Sequence, residues 1–544
     1  MSSSLNTLTT SSAKNSGLLI LLSLYIIFHQ NLLAQPGTLD KSFGLKGIVI
    51  DQPGVKNSAY QSIALQPDAK IVTAGYSTYG QYLDFSLARY DTNGVLDESF
   101  GNQGKVTTII GPGNCVIRSL NIQPDGKMIV AGYAENGTFT DFALARYNTD
   151  GSLDNSFGMG GIVSTSFDFA SASSSSALQP DGKIIVAGYM GFSGSFGPAG
   201  TKFALARYYQ NGTLDSTFGT NGKVSTAVRD LDDAALSMGI QSDGKIVLGG
   251  WSYRQVGIGN ATDIALVRYN TNGTLDTTFG LGGKVITEVG LNSQANKLLT
   301  LDNNKVVVCG CAYNGSNYDF ALVKYNNDGT VDTSWGINGI ITTSIGLGND
   351  YAIGLILQSD KKLIVSGSSS DAINGTKGNF TLARYNIDGS MDNTFGSDGI
   401  VVSNIDTNSS MFLTTATQID GKILAAGSSR ETNSTAYSVL ARYLSGFPNG
   451  LVDLVNSNNS LSIYPNPTTQ KTTLEYTLKN AGIISVYLFN SLGKFQKTFL
   501  SNMLQQPGKH FQEIVLSSEL ANGNYWIVLS TSQGKAIKSL IINN

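Results

Sequence analysis

Short apolar runs separated by Asp, Asn and Gly set the rhythm of the chain. Lys105–Thr108 follows a glycine-rich turn. Ile117–Ile122 and Lys127–Tyr133 flank Pro124-Asp125-Gly126, and Phe142–Tyr147 runs into Asn148-Thr149-Asp150-Gly151. Runs of this length bounded by turn formers predict strands, not helices. Asp-Gly supplies the positive backbone angles that a tight hairpin needs. Along the last run, alternation places Phe142, Leu144 and Arg146 on one face and Ala143, Ala145 and Tyr147 on the other. The run from Lys127 to Tyr133 is apolar on both faces. The segment therefore reads as a unit of four strands, buried on both sides of its sheet.

The unit recurs. A Leu-Asp-x-Ser/Thr-aromatic-Gly motif places its aromatic at Phe43, Phe100, Phe157, Phe218, Phe279, Trp335 and Phe395. A Gln-Pro-Asp-Gly-Lys turn places its lysine at Lys70, Lys127, Lys183, Lys245, Lys305, Lys362 and Lys422. A Phe-Ala-Leu-Ala-Arg-Tyr strand places its basic residue at Arg89, Arg146, Arg207, Arg268, Lys324, Arg384 and Arg442. Seven four-stranded units buried on both faces predict an all-β fold, a seven-bladed β-propeller in which blades stack face to face. The small Ala face allows close approach of the next blade. An open solenoid is the alternative, but it needs atypical capping repeats that the chain does not show.

Spacing separates the two ends of each unit. From the motif aromatic to the next strand's Val or Ile is six residues, and from the turn lysine to the following Gly is five, in every unit. Between the third-strand Tyr slot and the fourth-strand Phe slot the distances are 9, 9, 14, 13, 9, 12 and 10. The fixed turns lie on one side of an antiparallel blade and the variable loops on the other. One face of the ring is thus stereotyped and the other individual, and insertions in repeat proteins often map to a binding face. The individual loops carry Tyr76, Tyr79, Tyr82, Phe139, Phe192, Phe196, Trp251 and Tyr253, with Asp230, Asp232 and Asp233 beside them. Aromatics next to polar groups suit sugars or protein partners, so this face is the expected ligand site.

Composition agrees and narrows the chemistry. Gly accounts for 62 of 544 residues and charged residues for 14%, and of the 39 acids only seven are Glu. Asp, Asn and Gly favour turns where Glu and Lys favour helix surfaces. The net charge of −3 leaves no basic footprint for nucleic acid. His29 and His510 are the two histidines, so residues 35–509 offer no imidazole for a Ser/His/Asp or Cys/His centre or for the usual zinc sites. Cys115, Cys309 and Cys311 cannot make a full disulfide framework and read as small buried hydrophobes. The repeated basic residue is expected to pair with a repeated Asp, such as Asp97 or Asp154, or with turn carbonyls, because a buried Arg needs such partners. The Asn148–Asp154 turn has oxygen ligands at calcium-like spacing, but it is also an ordinary turn, and no metal or other cofactor is expected.

At the N-terminus, Lys14 precedes an 11-residue apolar run from Leu18 to Phe28, and Ala34 offers a cleavage point. That is signal-peptide length, short of a membrane span. The expected organisation is a signal peptide over 1–34, the propeller over 35–444 and a Ser/Asn/Gly/Pro-rich linker over 445–460. A strand-rich segment over 461–544, with strands at Thr472–Leu478, Gly482–Phe489, Gln512–Leu516 and Tyr525–Ser530, reads as a small C-terminal β-sandwich. No transmembrane span is expected in the mature chain.

The repeat signature resembles the delta-60 repeat family of bacterial extracellular proteins, which implies a β-propeller and leaves the biochemical role open. The C-terminal segment resembles the type A sorting domain of the type IX secretion system of Bacteroidota. The matching residues are Tyr464-Pro465-Asn466-Pro467, the strand-turn ending at Gly493, the Gly523-Asn524-Tyr525 strand, and a basic tail with Lys535 and Lys538. That resemblance implies partners in the type IX machinery and its sortase, and delivery to the outer-membrane surface or the medium. The favoured expectation is a non-enzymatic binding or adhesion propeller for an unknown extracellular glycan or protein. The alternatives are a secreted polysaccharide-active enzyme and a structural component of the cell envelope.

Overall fold

The computed structural model describes residues 35–446 and 461–543, apart from 55, 192–199, 258, 359, 372–376, 406–408, 419, 431–434, 479–480, 491–494, 518–519, 521 and 532–533. The expected export segment and nearly all of the expected linker lie outside the described residues.

Seven four-stranded antiparallel sheets form the blades. Blade 1 consists of Ser58–Leu65, Ile71–Thr78, Leu83–Tyr90 and Lys105–Thr108, in that spatial order. Blades 2 to 6 repeat the plan, starting at Cys115, Ser171, Asp233, Ser293 and Tyr351. Each first strand touches the first strands of both neighbours in a closed circle, so the first strands line the central channel and the fourth strands form the rim.

The phase of the blade differs from the phase read in the sequence. Lys105–Thr108 is not the first strand of a unit with Ile117–Ile122. It pairs with Leu83–Tyr90 as the outer strand of the preceding blade, in the register Phe85↔Thr108 to Ala88↔Lys105. The Leu-Asp-x-Ser-Phe-Gly segment makes this possible. It folds back on its own strand, with Asp97 N–H donating to Arg89 C=O and Arg89 N–H to Gly104 C=O, and so returns the chain antiparallel. The shift of one strand explains ring closure. Ile48–Asp51, near the N-terminus, is the fourth strand of blade 7, paired with Ala436–Tyr443 beside Ile423–Arg430 and Ser409–Thr417.

The apolar cores lie between blades. Phe85, Leu87 and Val72 of blade 1 meet Ala143, Ala145 and Tyr147 of blade 2, while Phe142 and Leu144 of blade 2 meet Ala204, Ala206 and Tyr208 of blade 3. The large face of each sheet thus packs on the small face of the next, as the alternation predicted. The Tyr147 hydroxyl donates to Thr108 Oγ1 across this interface at 2.8 Å, and Tyr208 does the same to Thr165. Where blade 7 meets blade 1 the threonine slot holds Asp51. Its carboxylate accepts from Tyr60 and Tyr90, each at 2.9 Å, and pairs with Lys105 at 2.6 Å. Cys115, Cys309 and Cys311 are free and buried, Cys309 in a slot that is Ala in other blades.

The C-terminal region forms two sheets. One joins Leu461–Tyr464, Lys471–Leu478 and Gly508–Val515; the other joins Phe495–Gln505, Gly482–Asn490, Gly523–Thr531 and Gly534–Ile542. Leu474, Tyr476 and Ile514 of the first share a core with Val486, Leu488, Ile527 and Leu540 of the second. Three of these strands, at Leu461, Phe495 and Gly534, were not read from the sequence.

Candidate binding face

On the stereotyped face every repeated charge is engaged. Arg89 Nε donates to Asp97 at 2.8 Å, Lys70 joins the same carboxylate at 2.9 Å, and the guanidinium lies 4.5 Å from the Phe100 ring centroid. A further nitrogen of Arg89 donates to the Thr149 carbonyl in the next blade's turn. The pattern runs round the ring through Arg146–Asp154, Arg207–Asp215, Arg268–Asp276, Lys324–Asp332 and Arg384–Asp392, and it closes at Arg442–Asp40. The expected pairing of the repeated base with Asp97 and Asp154 is what the structure contains. Burial raises the Asp97 carboxyl, but hydrogen bonds from Ser99 and Lys70 and the Arg89 charge outweigh it and hold it well below the usual carboxylate range. In the Asn148–Asp154 turn, Asp150 accepts from Ser152, and Asp154 accepts from Ser156 and Lys127 and forms an ion pair with Arg146.

The individual face is clamped differently. In five blades a side chain just ahead of the first strand reaches back to the preceding blade: Asn114 Oδ1 accepts from Leu83 N–H, Asn292 Oδ1 from Thr262 N–H and Asn349 Oδ1 from Tyr318 N–H, each at 3.0 Å. Asn57 does so for Ala436 and helps to seal the ring. Asp232 fills this slot in blade 4, accepting from Thr201 N–H at 2.7 Å. It is therefore a clamp. Asp230 is exposed, and Asp233 is buried with its carboxylate accepting from Val228 N–H at 2.7 Å. The corresponding Asp350 is fully buried. Burial pushes its carboxyl up to about 6, against the pull of the Ile345 and Gly346 N–H groups.

The predicted aromatics divide. Tyr79 and Tyr82 are exposed in the blade 1 loop, at 58% and 41%, and Phe139 is half-buried in that of blade 2. Phe192 and Phe196 lie outside the described residues. Tyr76, Trp251 and Tyr253 are not in loops. Tyr76 lies in a second strand, and the other two lie on a hairpin that extends both of its strands to 11 residues, Ile246–Val256 and Gly259–Tyr269. Trp251 and Tyr253 stack at 4.9 Å. Three further rings were not singled out in the sequence: Tyr318 lies 5.2 Å from Tyr313 and 5.6 Å from Tyr351, joining blades 5 and 6. All five rings are half-buried and sit at the individual-face ends of their strands. Tyr133 and Tyr189 occupy the slot of Tyr76 and Trp251, and that recurrence was the available signal.

In the C-terminal region, Asn466 makes both amide contacts to the final strand, donating to Ser539 C=O at 2.8 Å and accepting from Ile541 N–H at 2.7 Å. Pro465 and Pro467 flank it, and both X–Pro bonds are cis. Tyr464 is exposed and donates to Glu475. Tyr525 is buried in the shared core, Gly523 opens its strand, and Lys538 is exposed on the last strand, where Lys535 also lies. Gly493 lies outside the described residues. No helix among the described residues is long and apolar enough to cross a membrane.

Comparison with known proteins bears on both regions. Residues 66–100, 123–157, 179–218, 241–279, 301–334 and 358–395 match a domain of unknown function, DUF5122, described as a β-propeller. Residues 462–543 match a secretion system C-terminal sorting domain. Each propeller match runs from the Gln-Pro-Asp-Gly-Lys turn to the motif aromatic or just short of it. The seventh such span begins at Gln418 and, because the ring closes through the N-terminal strand, ends at Phe43. No curated protein matches the chain. Among solved structures, Sqt1 from Chaetomium thermophilum aligns at 13% identity with a TM-score of 0.40, covering 74% of this chain and 98% of that one. The polysaccharide lyase Uly1 aligns at 10% with a TM-score of 0.42, covering 75% and 93%.

Proposed function

Since the chain is a propeller of DUF5122 β-propeller repeats that ends in a secretion system C-terminal sorting domain, and is thereby directed to the cell surface or the extracellular space, we propose that it acts there as a non-enzymatic binding or adhesion protein. The sorting domain implies contact with the type IX secretion machinery; the propeller carries the cargo function. The observation that supports a binding role is the pair of half-buried ring groups on the individual face, Trp251 with Tyr253 on blade 4 and Tyr318 with Tyr313 and Tyr351 on blades 5 and 6. Such rings present flat apolar area with a polar tip at low entropic cost. The repeated carboxylates point the same way, because seven of them serve ion pairs with the repeated bases and Asp232 serves a clamp.

The test is a glycan array and a pull-down from extracellular material with the full chain as bait. Trp251→Ala and Tyr318→Ala are each expected to weaken the recovered ligand by about tenfold or more, as hot-spot aromatics do. Unchanged affinity in both variants sinks the reading, and so does turnover of the ligand.

A further inference from the structure

The first strands that line the channel share one irregularity. In each of the seven, the register to the second strand slips by one residue at the same position, leaving Gln61, Arg118, Ser174, Leu236, Asn296, Ile353 and Leu413 as the extra residue of a β-bulge. Bulges re-aim side chains and are frequent beside functional sites. Here they set a ring of seven side chains at one height of the channel wall, one of them a cation. The next position along the strand is Ser62, Ser119, Ser175, Ser237, Lys297, Gly354 and Thr414, again with one cation.

The charge balance of this wall is one-sided. The first strands hold three charged residues, Arg118, Asp233 and Lys297, and Asp350 stands immediately before the first strand of blade 6. Both carboxylates are fully buried and turned into backbone N–H groups of the preceding loops. Both cations are exposed. Arg118 donates to the Gln61 amide at 2.9 Å, and its guanidinium lies 5.9 Å from the Tyr133 ring centroid. Tyr76 and Tyr189 hold the position equivalent to Tyr133 in the blades on either side, so three successive blades each present a tyrosine at this level. Lys297 is desolvated by the enclosing wall, which lowers its pKa although water reaches it. Among the described residues neither cation is paired with a carboxylate, in a chain whose net charge is −3 and whose repeated bases all hold an Asp.

We propose that the channel, entered from the individual face, binds an acidic saccharide, with Arg118 and Lys297 holding its carboxylate or sulfate groups and Tyr76, Tyr133 and Tyr189 packing on the adjoining sugar ring. Guanidinium takes a carboxylate or sulfate in bidentate fashion, and a tyrosine offers a flat apolar face with a hydroxyl at its edge. The inference rests on the binding role proposed above and adds the ligand's chemistry and a second locus, distinct from the Trp251 rings.

The experiment is calorimetric titration of the full chain with polygalacturonate, chondroitin sulfate and neutral dextran at low and high salt. Binding of at least one acidic polymer, weakened by salt and absent for dextran at this locus, is expected. The comparison between the two acidic polymers tells a carboxylate ligand from a sulfate ligand. Arg118→Gln and Lys297→Gln, whose side chains are exposed and whose melting temperatures are expected to stay within the wild-type range, each weaken that binding by about tenfold. The double variant binding as wild type overturns the inference, as does equal binding of dextran or no acidic binding at all. If Trp251→Ala loses a ligand that Arg118→Gln retains, the binding role stands and the acidic-saccharide assignment falls.

Discussion

Arg268 and Arg118 belong to the same ring and are held in opposite ways. Arg268 is 2% exposed, donates to Asp276 at 2.7 Å, stacks on Phe279 and reaches the Asn327 carbonyl of the next blade. Arg118 is exposed and rests on an amide and a tyrosine ring. The first kind of site recurs in all seven interfaces, and the second occurs once. Repetition on one face and singularity on the other separate what the ring needs in order to close from what it has left for ligands. The glycines follow the same division. Gly126 carries a positive φ of 85° in the Asp-Gly turn, and Gly182, Gly244 and Gly421 take a similar angle at that place, where Ala69, Asn304 and Lys361 also have positive φ.

The strongest way to break the comparison is to open the ring. A chain lacking residues 35–51 loses the outer strand of blade 7, the Asp40 partner of Arg442 and Lys422, and the Asp51 site for Tyr60, Tyr90 and Lys105. It is expected to lose cooperative thermal unfolding and to self-associate, read by calorimetry and size-exclusion chromatography; a wild-type melt would show that blade 7 does not need its N-terminal strand. Next is Arg268→Ala, which leaves the buried Asp276 carboxylate to Lys245 and Thr278 and cuts the tie to the Asn327 carbonyl; it is expected to cost about 2–3 kcal/mol in urea unfolding.

On the individual face a smaller effect carries a sign. The Asp350 carboxyl is raised to about 6 by burial, so its neutral form is favoured by folding. Its contribution is complete below the unfolded value and is lost as pH rises through about 6. The carboxyls of the stereotyped face behave oppositely: Asp392, held at about 2 despite burial by Lys362, Thr394 and Arg384, loses its contribution only as pH falls towards that value. Stability is therefore expected to rise from pH 7 to about 5 and to fall in strong acid. Asp350→Asn flattens the upper limb between pH 7 and 5, by about 1.4 kcal/mol. A wild-type-like upper limb in that variant would assign the titration elsewhere.

Much of this division was legible in the residues. Fixed and variable spacings separated the two faces, the alternation in Phe142–Tyr147 foretold which side of a blade is small, and the excess of Asp over Glu reflects turns and ion pairs that recur blade by blade. The phase of the blade was not legible, because Lys105–Thr108 is adjacent in sequence to the strand it does not pair with. The channel wall was hidden by the bulge, which breaks the period-2 pattern at Arg118 and its equivalents. The grouping of Tyr318 with Tyr351 depends on a contact between blades, which no local pattern encodes. Asp232 was read with Asp230 and Asp233 as an acid beside the loop aromatics; its slot holds Asn in several other blades, and the shared clamp role appears only when the backbone partner is seen.

The central claim is that the individual face, and not the stereotyped one, carries the ligand. Leu281 offers a matched control, since it is 89% exposed on the stereotyped face. One titration series with a single captured ligand decides the matter, comparing wild type, Trp251→Ala and Leu281→Ser. The account predicts a loss of about tenfold or more for Trp251→Ala and wild-type affinity for Leu281→Ser; full affinity for Trp251→Ala with a loss at Leu281→Ser would contradict it.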